Sequence, residues 1–117
     1  MTKVINMVET HKHVFTDEFI NWIQVNEHMY ELFEVLADQI WNAGRRHYSS
    51  RTIGEKMRFD HSLHSVDDTF KLRNSVTPYL GRLYVLFHPD RLELFRYVKD
   101  NGDFQQHVEF FTKIGVL

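Results

Sequence analysis

Cysteine is absent from the 117 residues of this sequence. Disulfide bonds, thiolate metal sites and cysteine nucleophiles are therefore excluded, and the composition fits a reducing compartment. Only five glycines and two prolines occur, so there is little linker material and we expect one domain. No apolar run approaches the roughly 20 residues that a membrane-spanning helix needs, and the first residues lack the apolar core of a signal peptide. We expect a cytoplasmic protein without a membrane segment.

Catalytic motifs are also missing from the sequence. It contains no P-loop, no glycine-rich phosphate loop and no G-x-S-x-G motif. Ser49 and Ser50 lie near His47, but helix capping explains these serines more simply than a catalytic dyad does. The close pairs among the eight histidines are His11 with His13 and His61 with His64. Asp60, Asp67 and Asp68 lie near the second pair, but no H-E-x-x-H motif, no cysteine and no second spaced pair supports a metal site. We therefore expect no enzyme, no metal and no cofactor.

Helical periodicity dominates the part of the chain that follows residue 15. Aromatic residues make up 15% of the sequence and apolar residues 43%, enough to bury a core in a domain of this length. Thr16 predicts the N-cap of a first helix, with two carboxylates in its first turn. A second helix is predicted over 27–43 and ends at Gly44. Ser49 or Ser50 then caps a third helix over about 51–60, with Ile53 and Met57 pointing inward and Phe59 as a further candidate for the core.

The remaining segments complete the predicted fold. Asn74 predicts the N-cap of a fourth helix that ends at His88. Residues 1–15 show only loose alternation and predict an N-terminal arm or an edge strand beside a domain of residues 16–117. The turn signal at residues 100–102 predicts a small C-terminal β-hairpin. A short helical turn over 90–94 before it is an equal alternative. The fold class is therefore mainly α: a single-domain helical bundle with a helix-turn-helix or winged-helix-like core.

Charge is distributed unevenly, although the net charge is only −2. Residues 1–43 carry two basic and seven acidic side chains, whereas residues 44–73 carry seven basic and four acidic ones. Such asymmetry can mark a nucleic-acid face. In a helix-turn-helix domain the helix after Asn74 would enter the major groove, although residues 61–73 exceed the usual short turn. The candidate nucleic-acid contacts are Arg45, Arg46, Arg51, Lys56, Arg58, Lys71, Arg73, Asn74 and Arg82.

The acidic second helix supports an alternative function. Its carboxylates are spaced so that they can form one negative stripe, which could bind a basic partner protein or imitate the phosphates of a nucleic acid. The stripe consists of Glu27, Glu31, Glu34 and Asp38. A solvated helix face would show the same pattern, and the aromatic C-terminal segment is a second candidate surface for a protein partner.

Several short stretches together resemble a known family. These stretches are GRRHYSSRTI at residues 44–53, MR at 57–58, FKLRN at 70–74, YLGR at 79–82 and HP at 88–89. In this order they resemble the series GRxxYSxRxI…R…FKxxN…yxAR…HP of small bacteriophage and prophage proteins. The resemblance covers about residues 19–95. Gly81 stands where the family series has alanine, and Arg73 where another polar residue is expected. Most members of that family have no assigned activity, so the resemblance implies only a phage origin, action inside a bacterial cell and an accessory role.

These observations predict a non-catalytic phage accessory protein. Its first candidate function is DNA binding through the basic middle segment, with phosphate contacts supplying most of the affinity. Its alternative function is inhibition of a host protein or an anti-phage defence factor through the acidic helix or the aromatic C-terminal segment. A homodimer is expected under either function, because groove-reading proteins often pair across a two-fold axis.

Overall fold

α-Helices form nearly all of the regular structure. The computed structural model describes residues 2–64, 72–97 and 102–117. The α-helices are α1 (Lys3–Thr10), α2 (Asp17–Ile23), α3 (Glu27–Asn42), α4 (Ser50–His64), α5 (Thr77–Phe87) and α6 (Asp103–Lys113). Two 3₁₀ helices cover Lys12–Val14 and Pro89–Leu94, and no β-strand occurs within the described ranges. The predicted mainly-α class is confirmed. None of the helices described is both long enough and apolar enough to cross a bilayer.

The helix ends follow several of the predicted signals. Thr16 Oγ1 accepts a hydrogen bond from the amide of Phe19 at 3.2 Å, and Ser49 Oγ accepts one from the amide of Thr52 at 3.3 Å. Gly44 has a φ of 97° directly after α3, a conformation that glycine adopts without the Cβ penalty. Helix α4 continues to residue 64, about one turn beyond the predicted end, because no glycine or proline interrupts it there.

Helix α5 lies at the centre of the molecule. Seven of its eleven residues are buried, and it contacts α1, α3, α4 and the second 3₁₀ helix. Its contact with α4 is close, because a Cβ atom added at Gly54 would lie 2.5 Å from Thr77 Cγ2. The helix begins at Thr77, so the predicted N-cap at Asn74 is wrong. The Asn74 side chain instead accepts a hydrogen bond from Arg58, which leaves it unable to cap the helix.

The N-terminal segment forms a helix where the sequence predicts an arm or an edge strand. Thr2 caps α1 by accepting a hydrogen bond from the amide of Ile5 at 3.2 Å. Val4, Ile5 and Val8 are buried against the core. In a strand the adjacent Val4 and Ile5 would point to opposite faces, whereas a helix places both of them and Val8 on one side. The arm is therefore part of the folded unit.

The predicted C-terminal β-hairpin is also wrong for the residues that the structure describes. Gly102 has a φ of 82°, as a tight turn requires, but the chain then enters α6. Phe104 and Val108 of α6 are buried, so this segment has an apolar helix face at four-residue spacing. The short helical turn predicted over 90–94 is confirmed by the second 3₁₀ helix. Residues 65–71 and 98–101 lie outside the described ranges, so the first part of the turn signal at 100–102 is not described.

Candidate functional site

The predicted phosphate contacts begin in the loop between α3 and α4. Arg45 and Arg46 are both exposed there. The guanidinium of Arg46 lies 3.8 Å from the centre of the Trp41 ring, and it donates hydrogen bonds to the carbonyl oxygens of Trp41 and Arg45 at 3.0 and 2.9 Å. Arg46 therefore helps to close the end of α3, and Arg45 is the more freely placed of the two cations.

Two cations of α4 form ion pairs within the helix. Arg51 lies 3.5 Å from Glu55, and Lys56 lies 2.8 Å from Asp60. All four side chains are well exposed, and exposed pairs at this spacing contribute about 0.3–0.5 kcal/mol. A phosphate could displace these weak pairs, but the neighbouring carboxylates reduce the net positive charge that α4 offers to it.

Arg58 joins α4 to the segment that leads into α5. Its Nε donates to the carbonyl oxygen of Leu72 at 2.7 Å, and its Nη2 donates to Asn74 Oδ1 at 2.8 Å. Arg58 and Asn74 are therefore bound to each other and are engaged in the fold. Arg73 is exposed, and Lys71 lies outside the described residues.

Helix α5 does not have the surface that a recognition helix needs. A recognition helix presents a polar face from which several side chains reach base edges. Thr77 of α5 is fully buried, and the Arg82 guanidinium lies over the rings of Tyr79 and Phe104, at 5.1 and 5.2 Å from their centres. The assignment of α5 as a groove reader therefore does not fit its burial, because its apolar residues surround the helix and are not confined to a stripe.

Glu34, from the predicted acidic stripe, turns towards the core. It accepts a hydrogen bond from the Tyr30 hydroxyl at 3.0 Å and lies 3.1 Å from His88 Nε2. Burial, followed by the nearby carboxylate of Glu34, raises the pKa of Tyr30 above its ordinary value. Glu34 is therefore a partner of groups inside the fold and is not part of a solvent-facing stripe.

Asp38 is engaged in the same way, one turn further along α3. It accepts hydrogen bonds from the Tyr84 hydroxyl at 2.7 Å and from Arg91 Nη1 at 2.8 Å. Burial, followed by the hydrogen bond to Asp38, raises the pKa of Tyr84. Glu31 remains exposed and Glu27 is half-buried, so the four carboxylates do not form one continuous surface.

A concave groove lies between α3 and α4. It has a volume of about 560 Å³, and its walls include Leu36, Ile40, Tyr48, Ile53 and Phe59. We refer to it as the α3–α4 groove. Its walls come from α3, from α4 and from Tyr48 in the loop that joins them, and the two helices pack against each other.

Large apolar side chains continue this surface beyond the groove. Phe59 is 57% exposed, Leu63 is 63% exposed, and Leu32 and Val35 are 50% and 55% exposed. Leu32 lies one helical turn before the groove residue Leu36, and Leu63 lies one turn after Phe59, so each extends the apolar wall of its own helix. Contiguous exposed apolar surface of this kind marks interaction sites in soluble proteins. The assignment of Phe59 as a candidate for the core is wrong.

This surface was not predicted from the sequence, although a signal for it exists. Leu32 and Val35 fall on the polar side of α3, where their apolar character has no explanation in the core. Leu63 lies beyond the predicted end of its helix. The signal is thus a set of apolar residues that break an otherwise amphipathic pattern.

The described parts of the chain contain no group of three or more histidine, aspartate or glutamate side chains placed to hold a metal ion. Comparisons of the chain with models of protein families, with curated proteins and with solved structures gave no match. The chemistry of the described residues therefore carries the functional proposal.

Proposed function

We propose that the protein is a non-catalytic binding protein that holds an amphipathic helix of a partner protein in the α3–α4 groove. The observation that carries this proposal is the exposed apolar surface around the groove, to which both helices contribute. Helix-in-groove binding uses such a surface, because the apolar anchors of the partner helix recur at three- and four-residue steps and fill a groove between two helices. The burial of Phe59 and Leu63 would supply the hydrophobic part of the affinity.

The charges around the groove favour a partner helix with basic flanks. Helix α3 contains no lysine or arginine, and Glu31 is exposed on its outer surface. Glu55 and Lys56 both line the groove from α4, where Glu55 forms an exposed ion pair with Arg51 and Lys56 forms one with Asp60. A partner helix with Lys or Arg on both sides of its apolar stripe would meet Glu31 and Glu55, and such complementarity contributes to specificity and association rate. In the setting that the phage resemblance implies, this partner would be a host or anti-phage defence protein.

A model peptide tests the proposal without knowledge of the natural partner. The probe is a fluorescent helical peptide with leucines at three- and four-residue spacing and lysines on its flanks. We expect micromolar binding by fluorescence anisotropy, and a loss of at least about tenfold with Phe59→Asp, because this change places a charge in the apolar surface. The matched control is Phe110→Asp, because Phe110 is also 57% exposed but lies on α6. Equal loss in both variants, or in neither, rejects the groove as the site.

Two further measurements address the identity of the occupant. A peptide with the same leucines and glutamates in place of the lysines should bind at least about tenfold more weakly, because it meets Glu31 and Glu55 with like charge. Equal affinity for both peptides contradicts the charge argument. Light scattering that shows a dimer in the wild type and a monomer in Phe59→Asp would mean that a second copy of this chain fills the groove, and would overturn the proposal of a foreign helix.

DNA binding remains a second candidate function because of one specific feature. Arg45 and Arg51 are exposed at the N-terminal end of α4, a helix of 15 residues, and the helix dipole adds positive potential at this end. The test is binding to a random-sequence duplex at two salt concentrations. Micromolar binding that weakens with salt and disappears in Arg45→Glu/Arg46→Glu supports this candidate. Absence of binding at low salt rejects it.

A further inference from the structure

Three imidazole rings connect the two ends of the chain. His11 Nδ1 lies 2.7 Å from His107 Nε2, and His13 Nε2 lies 2.9 Å from His107 Nδ1. Both ring nitrogens of His107 are therefore engaged, one by each histidine of the N-terminal segment. We refer to these three residues as the histidine chain. It is a hydrogen-bonded contact between the segment that follows α1 and the first half of α6.

The histidine chain lies in surroundings that disfavour charge. His11 is only 1% exposed, and the rings of His11 and His107 pack against Phe111 at 5.0 and 4.5 Å between ring centres. Burial, followed by the proximity of His13, lowers the pKa of His11. Burial, followed by His11 and His13, lowers the pKa of His107 to about 4. His11 and His107 are therefore neutral at pH 7.

The hydrogen-bond requirements of imidazole explain why protons destabilise this arrangement. A neutral imidazole has one N–H donor and one acceptor nitrogen, whereas a protonated one has two donors. Three neutral rings can be joined head to tail with every contact satisfied. One added proton at His107 satisfies both contacts but places a charge in a poorly solvated site. A second proton sets two N–H groups against each other, so at least one contact is lost.

The charged groups on the surrounding elements do not compensate for a proton on the histidine chain. On the N-terminal segment, Lys12 pairs with Glu9 at 3.1 Å. Helix α5 contributes the cation of Arg82, and α6 contributes the carboxylate of Asp103. The remaining charged residues of α6 are Glu109 and Lys113. These groups comprise three cations and three carboxylates, so they supply no net negative charge to hold an imidazolium.

The histidine chain also closes one side of an aromatic cavity. This cavity, with a volume of about 640 Å³, lies between the N-terminal segment, α5 and α6, and it is lined by His13 and His107 together with Phe15, Tyr79, Phe104 and Phe110. We infer that the histidine chain is a proton-sensitive latch, and that protonation releases α6 from the N-terminal segment and opens the aromatic cavity. This inference is independent of the proposed function, because the α3–α4 groove contains none of these residues.

Hydrogen exchange at two pH values tests the latch. The pKa of His107 is about 4 in the closed state, against 6.5 for an open state in which the ring is solvated. Linkage therefore predicts that the equilibrium constant for the opening of α6 rises about 25-fold between pH 7.5 and pH 5. His107 keeps some contact with water, so we expect the protection factors of α6 amides, corrected for intrinsic rates, to fall at least about tenfold. The amides of α4 are the internal reference and should change less than about twofold.

Two variants and one direct titration decide the outcome. His107→Gln retains a donor and an acceptor but takes up no proton, so the pH effect on α6 should largely disappear. The matched control His28→Gln changes an exposed histidine of α3 and should leave the effect intact. Persistence of the effect in His107→Gln overturns the latch, as does the absence of any effect in the wild type. If His107→Gln does not fold, NMR titration of the wild-type imidazoles replaces it, and titration of His107 near pH 6.5 refutes the inference.

Discussion

Gly54→Ala tests the contact between α4 and α5 on which the core depends. The added Cβ would lie 2.5 Å from Thr77 Cγ2, more than about 1 Å inside the normal contact distance between carbon atoms. Thr77 is fully buried and β-branched, so it has little freedom to move. Overpacking of this kind costs about 1–3 kcal/mol, and the better helix propensity of alanine offsets about 1 kcal/mol of that cost. Because the clash is severe, we expect a net loss of about 1–2 kcal/mol in the free energy of unfolding.

Urea unfolding followed by circular dichroism measures this loss as a lower midpoint with an unchanged m-value. Thr77→Ser removes the clashing methyl group, and alone it should cost about 1 kcal/mol as a small cavity. In the double variant the alanine Cβ fills that space, so we expect a favourable coupling energy of about 1–2 kcal/mol. A Gly54→Ala protein as stable as the wild type, or strictly additive single effects, would refute the close approach of the two helices.

Two predictions concern the buried tyrosines. Tyr84→Phe should lower the free energy of unfolding by about 1 kcal/mol in the same urea assay, because it removes the hydrogen bond to Asp38 while Arg91 still binds that carboxylate. Tyr48→Phe is the control, and an equal loss in that variant would contradict the stabilising role of the Tyr84 hydroxyl. Burial raises the pKa of Tyr30 and Tyr84, so in an alkaline titration followed at 295 nm we expect these two tyrosines to ionise well above the ordinary range of a tyrosine. Ionisation of Tyr30 and Tyr84 near pH 10, the ordinary value for tyrosine, would contradict their burial.

Local signals in the sequence predicted much of the helical framework. Thr16 and Ser49 cap their helices through hydrogen bonds to amides three residues ahead, at 3.2 and 3.3 Å, and Gly44 ends α3 with a positive φ. Each of these signals acts within one turn of helix, so it does not depend on the tertiary fold. Asn74 shows the limit of such signals. Its side chain suits a helix cap, but Arg58, sixteen residues earlier, takes its oxygen instead.

The two ends of the chain were predicted less well, for a related reason. A turn signal at Gly102 favours a hairpin, and the glycine has the positive φ that such a turn uses, but the chain that follows it is a helix. The burial of Phe104 and Val108 depends on where the rest of the core lies. His107 shows the same limit for the histidine chain, because its contacts with His11 and His13 span 96 and 94 residues.

The acidic stripe on α3 shows why a helical wheel alone cannot define a charged interface. Glu34 and Asp38 lie at the boundary between the buried and exposed faces, four residues after Tyr30 and one residue after the buried Ala37 respectively. Carboxylates at this boundary are within reach of polar groups on neighbouring elements. Tyr84 and Arg91 donate hydrogen bonds to Asp38, and the His88 ring lies within hydrogen-bond distance of Glu34. A carboxylate that already accepts two hydrogen bonds offers little to a partner protein, because displacing those bonds leaves buried donors unsatisfied. Of the four carboxylates, Glu31 is the one that lies fully on the outer surface. Glu31→Lys should therefore weaken binding of the lysine-flanked peptide. Glu34→Lys should mainly lower the stability of the fold.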